Sequence, residues 1–174
     1  SRLVVADVAG SDEELVERAG VPAGVRDVVR RRLARLPDAT REILQAAAVV
    51  GREAELEPLR VVADRELERC LDDLEPAITS GLLIEVPDAP ATFRFAHALV
   101  REVVLEELST LQRARLHLRA ADAIVEIGGD TDDNAEILAA HLWAAVSLGH
   151  RGRAAGALER AAAVAVRRLA YESA

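Results

Sequence analysis

Leu82-Leu83-Ile84-Glu85-Val86 and Thr92-Phe93-Arg94-Phe95 decide the reading of this chain. Both stretches are rich in aliphatic and aromatic residues with a period near two, which is strand patterning. Pro87-Asp88-Ala89-Pro90 joins them through a proline-stiffened turn, so the two form a hairpin over 82–86 and 92–96. It is the only convincing β structure in the sequence. Everything after residue 24 on either side of it has helical spacing, and a sheet of four or more strands is not expected.

Upstream, Val25, Val28, Val29, Leu33 and Leu36 fall on one stripe of a helix that Pro37 stops. Asp38 or Thr40 caps a second helix through Val50, with Ile43, Leu44, Ala47 and Ala48 inward and Gly51 at its end. A short helix over Leu56–Ala63 follows. Leu67, Cys70, Leu71, Leu74 and Ile78 then mark the cleanest helical stripe, ended by Gly81. Downstream, helices are expected over about 98–108, 110–127, 135–149 and 153–171. Helices followed by a hairpin give the order of a winged helix. The later helical hairpin comes at a spacing of about 34 residues, the period of tetratricopeptide repeats. The expected fold is thus mainly α: a winged helix with one β-hairpin over 23–108, then a TPR-like helical hairpin over 109–174. Residues 1–22 read as a linker or the tail of a preceding domain, with a strand end at Leu3-Val4-Val5 and a short helix from Ser11 to Ala19.

Composition narrows the chemistry. The chain has 174 residues, 51% hydrophobic but only 2% aromatic, so Ala, Val and Leu must build the core. It contains no lysine; all 22 basic residues are Arg, against 30 acids, for a net charge of −8. A phosphate-loop lysine, a Schiff base and a lysine general base are therefore excluded. The acidic balance argues against a surface shaped for nucleic acid or an anionic membrane. A single cysteine, Cys70, excludes an intrachain disulfide and a multi-cysteine zinc site. No apolar run approaches the roughly 20 residues of a membrane span. The opening Ser1-Arg2 without methionine reads as a piece excised from something longer.

Four segments in order carry a resemblance: 21–37 (Val-Pro-Ala-Gly-Val-Arg-Asp-Val-Val-Arg-Arg-Arg-Leu-Ala-Arg-Leu-Pro), Phe93-Arg94-Phe95-Ala96-His97-Ala98-Leu99-Val100-Arg101-Glu102, Arg113-Ala114-Arg115-Leu116-His117, and Ala135-Glu136-Ile137-Leu138-Ala139-Ala140-His141. Over roughly residues 21–174 the chain resembles the signal-transduction ATPases with numerous domains, among them the large LuxR-type transcription regulators. The resemblance implies a modular switch: a nucleotide-binding domain, a winged helix, superhelical repeats and an output domain. It implies that His97, as the winged-helix histidine, reaches the β-phosphate of ADP in the intact parent and locks its closed state. This chain reads Ala96-His97-Ala98 where related switches read Met-His-Asp, so it lacks the orienting acid. The competing reading makes His97 a helix-start histidine bonded to a nearby backbone carbonyl.

The remaining motifs are weighed on their own residues. Arg26, Arg30, Arg31, Arg32 and Arg35 against Asp27 make the helix over 24–36 locally basic, read as a solvated, ion-paired face in preference to a nucleic-acid contact. Arg32 lies within the apolar stripe and is expected to be partly buried beside a carboxylate, less exposed than Arg30 and Arg31. The would-be recognition helix holds Arg65 and Arg69 against Glu66, Glu68, Asp72, Asp73 and Glu75, which would repel a duplex, and Pro76 would kink or end it. Asp130-Thr131-Asp132-Asp133-Asn134 imitates the start of a calcium loop, but Ala135 stands where glycine is needed and His141 where the bidentate Glu belongs. It reads as a capped acidic turn. Cys70 reads as core, and His117, His141 and His150 have no metal-ligand spacing.

The sequence therefore points to a non-catalytic regulatory fragment of an ATP/ADP-switched bacterial transcription regulator. No catalytic or metal-binding residue is expected, and His97 is the one cofactor-contacting candidate. The fragment holds no cofactor itself; ATP or ADP with Mg belongs to the parent. Expected partners are the parent's nucleotide-binding domain, a protein or small-molecule effector on the repeats, and a second copy through apolar faces of the last two helices. Neither nucleic acid nor membrane is an expected partner, and a cytoplasmic location is expected. The alternatives are a DNA-binding winged-helix module and a stand-alone helical interaction scaffold.

Overall fold

The computed structural model describes residues 23–172, and the expectations for 1–22 lie outside them. The chain divides into two compact units, residues 1–35 and 36–174. The described part of the first is helix α1, Ala23–Leu33. Its inward residues are Val29 and Leu33, while Val25 and Val28 are each nearly half exposed. The sequence stripe is thus out of phase. Arg32 is exposed, contrary to expectation, and the half-buried arginine of this helix is Arg26, one and two turns from Val29 and Leu33. Among the described residues of this helix only Val29 and Leu33 are buried, and the valines at 25 and 28 lie off that line. Arg30 pairs with Asp27 at 3.3 Å on the exposed side.

The second unit is built around α2, Asp38–Val50, in which Thr40, Ile43, Leu44, Ala46, Ala47, Ala48 and Val49 are all buried. The alanines let neighbours approach closely on several sides, which an aromatic-poor core requires. Pro37 is the N-cap, in place of Asp38 or Thr40, and Thr40 is buried inside the helix. Strand β1, Glu53–Glu55, comes next, then α3, Leu56–Ala63, and α4, Leu67–Thr79. Strands β2, Leu83–Glu85, and β3, Thr92–Phe95, are followed by α5, Ala98–Glu107, and α6, Thr110–Gly128. Then come α7, Ala135–Ala144, a 3₁₀ turn at Val146–Leu148, and α8, Arg151–Glu172. The described residues are mainly helical with one small antiparallel sheet. Helix α2 packs on α3, α4, α5 and α6, and α7 packs between α6 and α8.

The sheet has three strands where a lone hairpin was expected, in the order β1-β3-β2. In it Ala54 stands opposite Phe93, and Leu83 opposite Phe95. Ala54, Leu83, Phe93 and Phe95 face the core, and Arg94 faces out. Two further corrections concern α4. Pro76 does not end it; the helix runs on to Thr79. Its inward line is Cys70, Asp73, Leu74 and Ala77, leaving Leu67 and Leu71 exposed. Asp73 displaces them because it is ion-paired inside: Arg65 meets it at 3.2 Å and Arg69 at 3.1 Å. Burial disfavours the Arg65 charge, but the bonds to Asp73 and Glu42 outweigh it and raise its pKa.

Among the described residues no helix is long and apolar enough to cross a membrane.

Candidate functional site

His97 is positioned by the strand before it and the helix after it. Ala96 N–H still bonds the Leu82 carbonyl at 3.0 Å, which carries the β2–β3 pairing one residue past the strand. His97 then takes an extended backbone, φ −141° and ψ 142°, as N-cap of α5. Its carbonyl accepts the first helical bond from Val100 N–H at 3.0 Å. Its imidazole is exposed and makes no capping hydrogen bond.

Arg101 lies one turn along the same face of α5. It is half-buried, and its Nε–H donates to the Ala48 carbonyl in the last turn of α2 at 2.9 Å. Arg52 follows α2 one turn beyond that carbonyl. From the other side Arg113, in the first turns of α6, donates to the Leu105 carbonyl at 2.7 Å, one turn along α5 from Arg101. Burial first, then the like charges of Arg113 and Arg52, push the Arg101 pKa down. The joint of α2, α5 and the amino end of α6 is thus locally cationic. Ser109 opens α6 with a full capping box with Gln112, so the positive end of that helix dipole points into the same joint.

The next turn of α6 carries a feature the sequence reading missed. His117 and His141 meet with Nδ1 to Nδ1 at 2.9 Å and ring centroids 5.1 Å apart. His141 is buried, 7% exposed, and His117 is half-buried. One Nδ1–H must donate to the other ring's lone pair, so the two neutral rings hold opposite tautomers. Burial, then His117, pushes the His141 pKa down to about 4. Burial, then Arg113 and Arg101, lowers that of His117. Two imidazoles beside two guanidiniums make a poor cation site. Among the described residues no three of His, Cys, Asp and Glu gather as a metal set. The pair is 24 residues apart in sequence, so no spacing rule finds it. The available signal was its setting, His117 between Leu116 and Leu118 and His141 between Ala140 and Leu142.

Asn134 closes the acidic turn but makes no capping bond to α7. Asn134 Oδ1 accepts from Thr131 N–H at 3.1 Å, and its amide donates to the Gly129 carbonyl at 2.5 Å. Its acids are met by arginines of α8. Arg160 bonds Asp130, Arg167 meets Asp132 at 2.5 Å and Arg168 meets Asp133 at 3.4 Å, while Arg153 reaches Asp122 on α6 at 2.7 Å. A groove of about 380 Å³ lies beside this ladder, lined by Leu138, Leu142, Gly152, Gly156 and Arg160 among others. Cys70 is buried, and burial lifts its thiol pKa to about 11, as a core residue requires. His150 joins neither the imidazole pair nor His97.

No known protein family, curated protein or solved structure matches the chain.

Proposed function

We propose that this chain is a non-catalytic regulatory segment of a nucleotide-switched bacterial transcription regulator, of the kind that the sequence resembles. In this reading α2, β1, α3, α4, β2 and β3 are a winged helix, and α6–α8 open a tetratricopeptide-like superhelix. The element order and the central place of β3 support it, because a winged helix interleaves its first strand between helices and closes with a hairpin. The superhelix takes a protein or small-molecule effector, and the winged helix relays its state to a nucleotide-binding domain in the same parent chain.

The observation that carries the reading is His97. Its exposed imidazole stands at the strand-to-helix junction with no capping bond, and Arg101 lies one turn away. Such a donor suits a phosphate oxygen presented by a neighbouring domain. The residues present fit one contact to a nucleotide. They do not fit a nucleotide site, because the chain has no lysine and no Gly-rich phosphate loop. When bound in the parent, ATP or ADP with Mg supplies the switch signal; His97 only senses it.

Direct DNA binding fits less well. On α4 the acids Glu68, Asp72 and Glu75 are exposed, and so are Leu67 and Leu71, one turn apart. An acidic face with two exposed leucines suits a protein surface better than a phosphate backbone.

The test is ADP affinity in the intact parent with His97→Ala. A lost charge-assisted bond of about 1.5–3 kcal/mol corresponds to roughly tenfold or more weaker binding. Basal activity should rise with it, and the 174-residue chain alone should bind no nucleotide measurably. Unchanged ADP affinity in the parent variant refutes the sensor role.

A further inference from the structure

Helix α8 carries two apolar seams. Ala154, Ala157, Ala161 and Val164 turn inward; Ala154 belongs to the cluster of Ala121, Leu138 and Leu142, and Ala157 packs on it. One residue further round lie Ala155, Leu158, Ala162, Ala165 and Leu169, and all of these are exposed. Leu158 is 41% exposed, Leu169 63%, and the flanking Val166 65%. The outer seam has strict three-four spacing, the pattern of a coiled-coil contact and not of a broad core face.

The seam is also a palindrome. Leu158, Ala162, Ala165 and Leu169 read leucine, alanine, alanine, leucine, with gaps of four, three and four. We infer that α8 pairs antiparallel with α8 of a second copy of this chain, Leu158 packing on Leu169 and Ala162 on Ala165 of the other copy. A two-fold contact must be self-complementary, with each residue and its counterpart exchanging roles. This seam meets that condition, and the central alanines let the backbones come close.

Charge favours the same occupant and direction. No charged residue interrupts the seam between Ala155 and Leu169. Extended back one heptad from Leu158, the seam reaches exposed Arg151. Parallel pairing would set Arg151 against its own copy and align the helix dipoles. Antiparallel pairing keeps the two Arg151 side chains apart and opposes the helix dipoles. The flanking Glu159 and Arg168 then fall opposite Val166 and Ala161, so no like charges meet. One helix seam is smaller than a standard interface, so the dimer is weak and concentration-dependent. The other exposed apolar residues of the hairpin, Ile137 and Trp143 on α7, are not needed for it.

Sedimentation of the 174-residue chain from about 10 to 500 µM tests this, with circular dichroism as the folding control. The mass should climb from 18.7 kDa towards twice that value. Leu158→Glu and Leu169→Arg should each weaken association more than about tenfold. Mixing the two variants should restore it, because the antiparallel register sets the new Glu against the new Arg and keeps one leucine pair. Ala162→Cys mixed with Ala165→Cys should cross-link more readily than either alone. A mass fixed at 18.7 kDa across the range overturns the inference. So does association untouched by the single variants, which would move the contact to Trp143 and Ile137. Failure of the mixture to recover overturns the antiparallel register. None of these readings depends on nucleotide, so the sensor role of His97 stands or falls separately.

Discussion

His117 and His141 share one hydrogen bond between their Nδ1 atoms, 2.9 Å apart, and so tie α6 to α7 beside their apolar contact. Arg101 and Arg113 face His117 from α5 and α6 and oppose any added charge. The unfolded chain takes up protons near the usual imidazole pKa of 6.5, but folded His141 resists until about 4. The unfolded state therefore binds more protons in that window. Stability from this pair is complete above about pH 6.5 and declines as pH falls to about 4. For His141 alone the loss approaches about 3 kcal/mol at 1.36 kcal/mol per pKa unit. Urea denaturation at pH 7.5 and pH 4.5 checks it. His141→Gln should be less stable at the higher pH and should lose less on acidification than the original chain. An equal acid loss in both would remove the pair from the account.

Arg101 ties α5 to α2, reaching 53 residues back to Ala48. Arg101→Ala leaves that carbonyl without its charged donor and removes the packed stem. The expected cost is about 1–3 kcal/mol, less whatever relief comes from separating it from Arg52 and Arg113. Arg52→Ser should be neutral or slightly stabilising for the same reason. Chemical denaturation of both variants measures the pair of signs.

Asp73 is 5% exposed and meets two arginines. Removing it takes the buried partner from Arg65, which keeps Glu42, and the partner of Arg69 at the surface. Asp73→Ala should destabilise by about 3 kcal/mol, the low end for breaking a buried pair, because both arginines retain some solvent. Asp73→Leu, which fills the site with apolar volume, should recover part of the loss if Arg65→Met accompanies it. A thermal or urea melt of the three variants decides this.

The arginines of α8 form surface pairs, each worth about 0.2–1 kcal/mol and screened by salt. Replacing Arg153, Arg160 and Arg167 together by Gln should cost about 1–2 kcal/mol. It should also raise hydrogen exchange in α8 and flatten the salt dependence of that exchange. Exchange in α2 should not change.

Much of the fold was legible because its elements are periodic. Leu56–Ala63 is the helix that the sequence gives, and the two strands of the hairpin fall where the period changes. Strand β1 was missed because Glu53-Ala54-Glu55 is too short to carry a period and buries only Ala54. Helix phase was the weaker inference. On α1 Val29 and Leu33 turn inward as read but Val25 and Val28 do not; on α4 Cys70 and Leu74 do but Leu67 and Leu71 do not, since Asp73 could enter the core once Arg65 and Arg69 covered its charge. At the candidate site, His97 was visible by its place after the second strand. The cationic joint and the imidazole pair were not, since Arg52, Arg101, Arg113 and the two histidines are joined only by tertiary packing.

The arginine ladder gives α8 a mechanical character. Arg153, Arg160 and Arg167 recur every seven residues on the side of the helix that overlooks Asp122, Asp130 and Asp132. A pull along the helix axis loads all of these catches at once. A lift at the carboxyl end instead releases them in turn, Arg168 and Arg167 first, then Arg160, then Arg153. The same helix is therefore stiffer to sliding than to peeling, with Ala154 and Val164 seated beneath the ladder.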